Sequence, residues 1–261
     1  MRIRETRRIW EIRKIRKEVF IGPLIMIALW FLISKLKIVD PFFFPGPVET
    51  IQELVRLGLE GTIIKDTAIT MERTAIAFFI AGSIGVPLGL LLGSSRRTYE
   101  CFEGVIDFFR SIPATAMFPL FMILFGIADS SKIAVAAFGP LLIIVFNTAY
   151  GVIHAKRSRV LAAKLMGATK MQIFRWISFW ESLPQIFVGM RTGLSLCLVI
   201  IIVTEMFIGT YAGLGRRIID FQYVYDIKGM YAVILLTGIL GYGINTIFLA
   251  VEKRVIHWSG Q

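Results

Sequence analysis

The sequence has few of the residues that build metal sites or disulfide frameworks. It contains two cysteines, Cys101 and Cys197, and two histidines, His154 and His257, which are widely separated along the 261 residues. Zinc sites and disulfide scaffolds need such residues at close and repeated spacing. We therefore expect no metal site and no disulfide, and nothing in the sequence calls for a cofactor.

Motifs for nucleotide binding and for nucleophilic catalysis are also missing. The sequence has no G-x-x-x-x-G-K-[ST] loop, the motif whose backbone cradles nucleotide phosphates. It has no Ser/His/Asp set and no carboxylate pair at a common depth. We expect that the chain is not an enzyme, and that any ATP driving it is hydrolysed by a separate chain.

Charged residues are scarce, and apolar residues occur in long runs. Only 18% of residues are charged and 56% are hydrophobic, with a mean hydropathy of +0.72, whereas a soluble domain has about 25% charged residues. These values predict an all-α integral membrane protein with six transmembrane helices. The predicted crossings are residues 19–36, 74–93, 103–125, 132–153, 185–208 and 230–251. Pro113 and Pro119 are expected to interrupt the third crossing.

The distribution of Lys and Arg predicts the topology. Residues 1–18 are strongly basic, with isoleucines at helical spacing, which indicates an amphipathic helix on a membrane surface. Nucleic-acid binding is the alternative for a chain of net charge +11. With both termini in the cytoplasm, however, basic residues on the inner side outnumber those outside by about two to one. We therefore expect a multi-pass protein of the plasma or inner membrane, with a cytoplasmic tail at 252–261 and no nucleic-acid partner.

The stretch 158–191 lies between two apolar runs and is too polar to cross a bilayer. Apolar residues recur at helical spacing on both sides of Gly167, and Thr169 is suited to cap the second segment. The pattern predicts two short amphipathic helices joined at Gly167 on the membrane surface. The next crossing is expected to begin at Pro184.

This stretch resembles the "EAA" loop of ABC-importer permeases, in which a coupling helix docks on a separate ATPase subunit. The matching positions are Ala162, Ala163, Gly167, Ala168, Gln172, Phe174, Pro184, Gly189 and Arg191. Leu161 departs from the pattern, because the family usually has a glutamate there. The resemblance implies ATPase-coupling roles for six residues, namely Leu161, Ala162, Ala163, Gly167, Ala168 and Gln172. The alternative is an interfacial helix–turn–helix without a partner.

The resemblance covers most of the chain, from about residue 44 to 251, and includes Gly213-Leu-Gly215. It is nearest to permeases for nitrate, sulfonates and taurine, which implies a small anion as the solute. It implies the type I importer fold over residues 19–251, with a cytoplasmic coupling loop at 154–184. It also implies a second copy of this permease, two copies of an ATP-binding subunit, an extracytoplasmic substrate-binding protein and surrounding membrane lipid.

Polar residues inside the predicted crossings are candidates for the translocation path. They are Ser111, Thr115, Asn147, Thr148 and Ser195. Hydrogen bonding between helices is the alternative role. Glu205, near the outer end of the fifth crossing, either lines an outer gate or pairs with Arg216 or Arg217.

Two other classes of protein remain open on the sequence alone. A secondary transporter or channel should show inverted repeats or broken helices in both halves, whereas prolines break helices in the first half only. A membrane-embedded enzyme would need a nucleophile or metal cluster at the interface, and the sequence shows neither.

Overall fold

The computed structural model describes residues 21–207 and 211–256, which form helices and short connections with no strand among them. The predicted basic helix at 1–18 and the end of the tail lie outside the described residues. The first five helices are α1 (Ile21–Lys35), α2 (Pro47–Leu59), α3 (Thr62–Gly93), α4 (Arg96–Ser111) and α5 (Phe118–Phe125). The others are α6 (Asp129–Ile153), α7 (Arg157–Leu165), α8 (Lys170–Ile173), α9 (Phe179–Phe207), α10 (Leu214–Tyr223) and α11 (Ile227–Val255).

The all-α membrane fold predicted from hydropathy is confirmed. Within the described residues, four helical runs are long and apolar enough to cross a membrane: α3, α6, Lys170–Phe207 and α11. The bent pair formed by α4 and α5 makes a fifth crossing if it counts as one span. The first predicted crossing corresponds to α1, a shorter apolar helix that starts at the edge of the described range.

The third crossing, predicted over 103–125 with interruptions at Pro113 and Pro119, consists of two helices and begins earlier, at Arg96. Helix α4 and the segment Ala114–Phe125 meet at an angle of 83°. Ile112 is extended, with φ −80° and ψ 123°, because a residue preceding proline is disfavoured in the α region. Pro119 lies in the first turn of α5, where its missing N–H costs nothing. The two prolines therefore end one helix and begin another.

The prediction that a new crossing begins at Pro184 is wrong. Helix α8 continues through a π-helical segment, Phe174–Ser178, directly into α9, and Pro184 lies inside α9. Membrane helices tolerate a proline where neighbouring helices satisfy the freed carbonyl group. The second surface helix and the following crossing are therefore one continuous run.

The core of the bundle is formed by α3, α6 and α9, which pack closely on one another. Glycines on α3 face α6 at intervals of one turn. A Cβ at Gly89 would come within 2.5 Å of the Thr148 Cβ and 2.7 Å of the Val145 carbonyl oxygen, and a Cβ at Gly93 within 2.8 Å of the Ala149 carbonyl oxygen. Small residues let membrane helices approach to this distance.

Replacing Gly89 with alanine should destabilise this core strongly. The new methyl group overlaps backbone of α6, which cannot move without separating the two helices. Gly243→Ala is the matched control, because Gly243 lies on the membrane helix α11 with no atom within 4 Å of a Cβ built there. We expect a lower thermal midpoint in detergent for Gly89→Ala and an unchanged one for Gly243→Ala. Equal midpoints for the two variants would contradict the close packing of α3 and α6.

Helix α10 lies within the segment 209–229, between the fifth and sixth predicted crossings. It is buried on one side against α9 and α11. Its Leu214 and Ile218 join an apolar cluster with Leu57, Ile63 and Val233. The cluster fixes α10 against the ends of α3 and α9, where the charged residues described below are found.

Candidate functional site

The turn between α7 and α8 ends α7 with a left-handed glycine, which has no side chain that would keep a docking protein away. Gly167 has φ +79°, a left-handed conformation that glycine adopts without steric cost. Its N–H donates to the Lys164 carbonyl at 3.0 Å, and the Ala168 N–H donates to the Ala163 carbonyl at 3.0 Å. These two bonds form a Schellman motif, so the predicted joint at Gly167 is confirmed.

The second helix begins where the sequence predicts. The Thr169 hydroxyl accepts a hydrogen bond from the Gln172 N–H, and the Gln172 side chain accepts one from the Thr169 N–H. This reciprocal pair is a capping box. Gln172, which the resemblance assigns to ATPase coupling, therefore also fixes the start of α8.

Four of the six coupling candidates surround one surface cavity. Ala163, Gly167, Ala168 and Gln172 line a pocket of about 390 Å³, together with apolar side chains of the run that follows. Ala163 is buried, with 6% of its surface exposed. It therefore forms the floor of the pocket and is not a surface contact.

Large apolar side chains of α7, of α8 and of the turn between them are exposed, and one of them, Met166, lines this pocket. Leu161 is 56% exposed, Leu165 83%, Met166 81% and Met171 72%. Ala162 is also exposed. We call the exposed faces of α7 and α8 the α7–α8 surface. An ion pair between Arg159 and Glu181 ties this surface to the start of α9.

At the opposite end of α6, roughly 36 Å away along the helix, charged residues form a buried ionic network. Glu205 at the end of α9 is fully buried. Its carboxylate accepts a hydrogen bond from Arg73 at 2.6 Å and one from the Thr70 hydroxyl at 2.9 Å. Arg73 also contacts Asp129 at 2.9 Å, and Lys132 contacts the same carboxylate oxygen at 3.1 Å. The network thus links α3, α6 and α9.

The network also caps the N-terminus of α10. The N–H groups of Gly213, Leu214 and Gly215 donate to Asp66, Thr70 and Glu205 at 3.0, 2.9 and 3.0 Å. Carboxylates at a helix N-terminus satisfy its unpaired N–H groups and complement its dipole. Arg217 pairs with Asp66 at 2.7 Å, so the ionic network contains three acidic and three basic side chains.

Of the two roles that the sequence leaves open for Glu205, pairing with Arg216 or Arg217 is wrong. Arg216 pairs with Asp220 within α10, and Arg217 pairs with Asp66. The true partner, Arg73, lies just outside the second crossing predicted from residue 74, because α3 begins twelve residues earlier, at Thr62. Asp66, Thr70 and Arg73 recur at i, i+4 and i+7, so helical spacing could have placed them on one face.

The candidate path residues differ in how far they are exposed to solvent. Ser111 and Thr115 are exposed at the break between α4 and α5, while Asn147 and Ser195 are half-buried. Thr148 is fully buried between α6 and α3. Thr148 and Glu205 therefore have no open surface in this arrangement of the chain, because helix packing covers them.

The sequence from 85 to 257 matches the family of binding-protein-dependent transport system inner membrane components. This chain belongs to that family. Residues 85–257 include α6, the α7–α8 surface, α9 and the capped N-terminus of α10.

Relatives and solved structures agree with this assignment. The permease is 31% identical over 230 residues to a probable ABC transporter permease protein of Brucella abortus (strain 2308), covering 88% of this chain and 90% of that one. It is 26% identical to the taurine transport system permease protein TauC of Escherichia coli (strain K12), covering 92% and 90%. An inward-facing methionine ABC transporter, MetNI, shows the same fold with a TM-score of 0.65 and 24% identity, covering 74% and 96%.

Membership settles the class of protein. The permease is a multi-pass component of an ABC importer in the inner membrane and not an enzyme, since partner subunits hydrolyse ATP. The family implies an ATP-binding subunit and a substrate-binding protein as partners. A secondary transporter or channel working without an ATPase is correspondingly disfavoured.

Proposed function

We propose that two copies of this permease form the translocation path of an ATP-driven importer for a small solute that carries a sulfonate group, such as taurine or an aliphatic sulfonate, or for nitrate. Two ATP-binding subunits dock on the α7–α8 surfaces from the cytoplasm, and an external binding protein delivers the solute. Closure of the ATPase dimer draws the α7–α8 surfaces together and opens the path outward. The observation that carries this proposal is the exposed α7–α8 surface on a chain of this family.

The α7–α8 surface has the features of a protein-docking site. It presents exposed leucine and methionine side chains and a pocket that is lined by Met166 and by the buried Ala163. Exposed apolar patches of this kind mark interaction sites. A partner side chain inserted into the pocket would transmit force to α6 and α9, because α7 and α8 directly connect those helices.

The relatives support a solute that is nitrate or carries a sulfonate group. They include permeases named for taurine, for aliphatic sulfonates and for nitrate, at 26–28% identity. A free carboxylate of Glu205 at the outer end of the path would repel an anion. Because Arg73 pairs with the Glu205 carboxylate inside the protein, the carboxylate does not oppose the entry of an anion. Exposed Ser111 and Thr115 at the helix break are the candidates to contact the solute.

Uptake in proteoliposomes tests the proposal. The permease, reconstituted with its cognate ATP-binding subunit and binding protein, should accumulate radiolabelled taurine or nitrate only when ATP is supplied on the ATPase side. Omitting the ATP-binding subunit is the control and should abolish uptake. Accumulation that persists without that subunit would refute an ATP-driven importer and indicate a secondary transporter.

Cysteine labelling tests the proposed topology. In a Cys101→Ser background, which removes the one exposed cysteine of the described residues, cysteines are placed at Lys35 or Lys170. Both positions are exposed, at the end of α1 and the start of α8. We expect an impermeant thiol reagent added to intact cells to label the cysteine at 35 and not that at 170. Reversed labelling would place the α7–α8 surface outside, away from ATP.

A further inference from the structure

A second, larger cavity lies beside the α7–α8 surface. Its volume is about 1050 Å³, and it is bounded by the last turns of α3 and α6, by the start of α4, and by α7 and α8. A cavity of this size is at the upper end of the range for small-molecule sites. It opens where two membrane helices end, so it lies at the level of the lipid headgroups under the topology above.

Four cationic side chains line this cavity: Arg96, Arg157, Lys164 and Lys170. Arg96 pairs with Glu100 on α4. In the part of the chain that the structure describes, no carboxylate forms an ion pair with the other three. Residues 130–180 contain no Asp or Glu at all. The cavity therefore carries an excess of positive charge that the protein itself does not neutralise.

The part of the cavity wall that α3 and α6 contribute is largely apolar. Pro87, Leu90 and Leu91 of α3 line it together with Val152 and Ile153 of α6. Leu91 is 66% exposed, and Leu88, one turn before it, is 42% exposed. The wall is thus continuous with an exposed apolar face of α3, whereas the cations come from the surface segments.

We infer that this cavity binds the headgroup of an anionic phospholipid, with the acyl chains lying along the exposed face of α3. An amphiphile matches both walls, because its phosphate meets the cations and its chains cover the leucines. Basic pockets between membrane helices on the cytoplasmic side bind anionic headgroups in this way. A free anion would leave the apolar wall without a partner. The inference rests on the cavity and does not depend on ATPase docking.

Lipid retention tests the inference directly. The full-length permease is purified from bilayers containing equal amounts of phosphatidylglycerol and phosphatidylcholine, and the retained lipids are counted by mass spectrometry. We expect the wild-type chain to retain phosphatidylglycerol preferentially. In the double variant Lys164→Gln/Lys170→Gln, the ratio of retained phosphatidylglycerol to phosphatidylcholine should fall about tenfold. Lys164→Arg/Lys170→Arg, which keeps both charges, should retain it and so controls for the fold.

A matched control separates this cavity from general surface charge. Lys253→Gln/Arg254→Gln removes two exposed cations from the last turn of α11, at the same membrane face and outside the cavity. This variant should retain the wild-type preference. Equal losses for the two double variants would overturn the inference, and so would an unchanged preference in Lys164→Gln/Lys170→Gln. Release of the lipid by equimolar inorganic phosphate would also overturn it, since the pocket would then be a site for free anions.

Discussion

Glu205→Ala should destabilise the permease by about 3–5 kcal/mol, the effect expected when one partner of a buried ion pair is removed. The substitution leaves the Arg73 guanidinium buried with only Asp129 and the Ala212 carbonyl as partners. It also leaves the Gly215 N–H at the start of α10 without its acceptor. Both losses act at the junction of α3, α9 and α10.

The loss of stability is measured as the change in the thermal midpoint in detergent, monitored by size-exclusion chromatography of heated samples. Glu100→Ala is the control, because Glu100 forms a surface ion pair with Arg96 in which the two side chains are 55% and 82% exposed. Such exposed pairs contribute about 0–1 kcal/mol. Glu205→Gln should fall between the two, since its amide oxygen can still accept one hydrogen bond. A midpoint for Glu205→Ala equal to that of Glu100→Ala would contradict a stabilising role for the ionic network.

Close contacts with α9 require glycine at both ends of Gly213-Leu-Gly215. Gly213 has φ +135°, and a Cβ there would lie 2.5 Å from the Glu205 carboxyl carbon. A Cβ at Gly215 would overlap the Ile202 carbonyl oxygen. The turn can bring its N–H groups to Asp66 and Glu205 only because positions 213 and 215 are both glycine and have no Cβ.

Local patterns in the sequence predict the elements that depend on local chemistry. Gly167 and Thr169 act through their own backbone and neighbouring residues, so the helix joint and the N-cap can be located without the fold. Long apolar runs likewise locate the main crossings, although α3 begins at Thr62 and not at residue 74, and the third crossing bends by 83° in its middle.

Features that depend on distant contacts cannot be predicted in this way. The partner of Glu205 is 132 residues away along the chain, whereas charge alone favours the nearby Arg217. The burial of Thr148 depends on a glycine of another helix. Pro184 has the local character of a helix start, because the packing that keeps α9 continuous is not visible in the sequence.

Gly167→Val, a substitution at the α7–α8 surface, should uncouple the permease from its ATPase. Valine at φ +79° costs roughly 1–2 kcal/mol of backbone strain, and its branched side chain would narrow the pocket between α7 and α8. No atom of the chain lies within 4 Å of a Cβ at this position. The permease should therefore still fold and insert, while the docking partner meets the added volume.

Gly61→Val is the matched control for Gly167→Val. Gly61 also has φ +79°, has no atom within 4 Å of a Cβ built there, and lies between α2 and α3. The two variants share the same backbone strain, but only Gly167 borders the α7–α8 surface. We expect co-purification of the ATP-binding subunit to fall sharply for Gly167→Val and to remain at the wild-type level for Gly61→Val.

Substitutions on α7 refine the same experiment. Ala162→Glu places a charge on an exposed position and should weaken docking, whereas Ala163→Glu buries a carboxylate and should impair folding as well. Leu161→Glu restores the residue that the resemblance leads one to expect, at a side chain that is 56% exposed, and should be tolerated. If Gly167→Val and Ala162→Glu both retain the ATP-binding subunit at the wild-type level, the α7–α8 surface is an interfacial helix pair and the ATPase docks elsewhere.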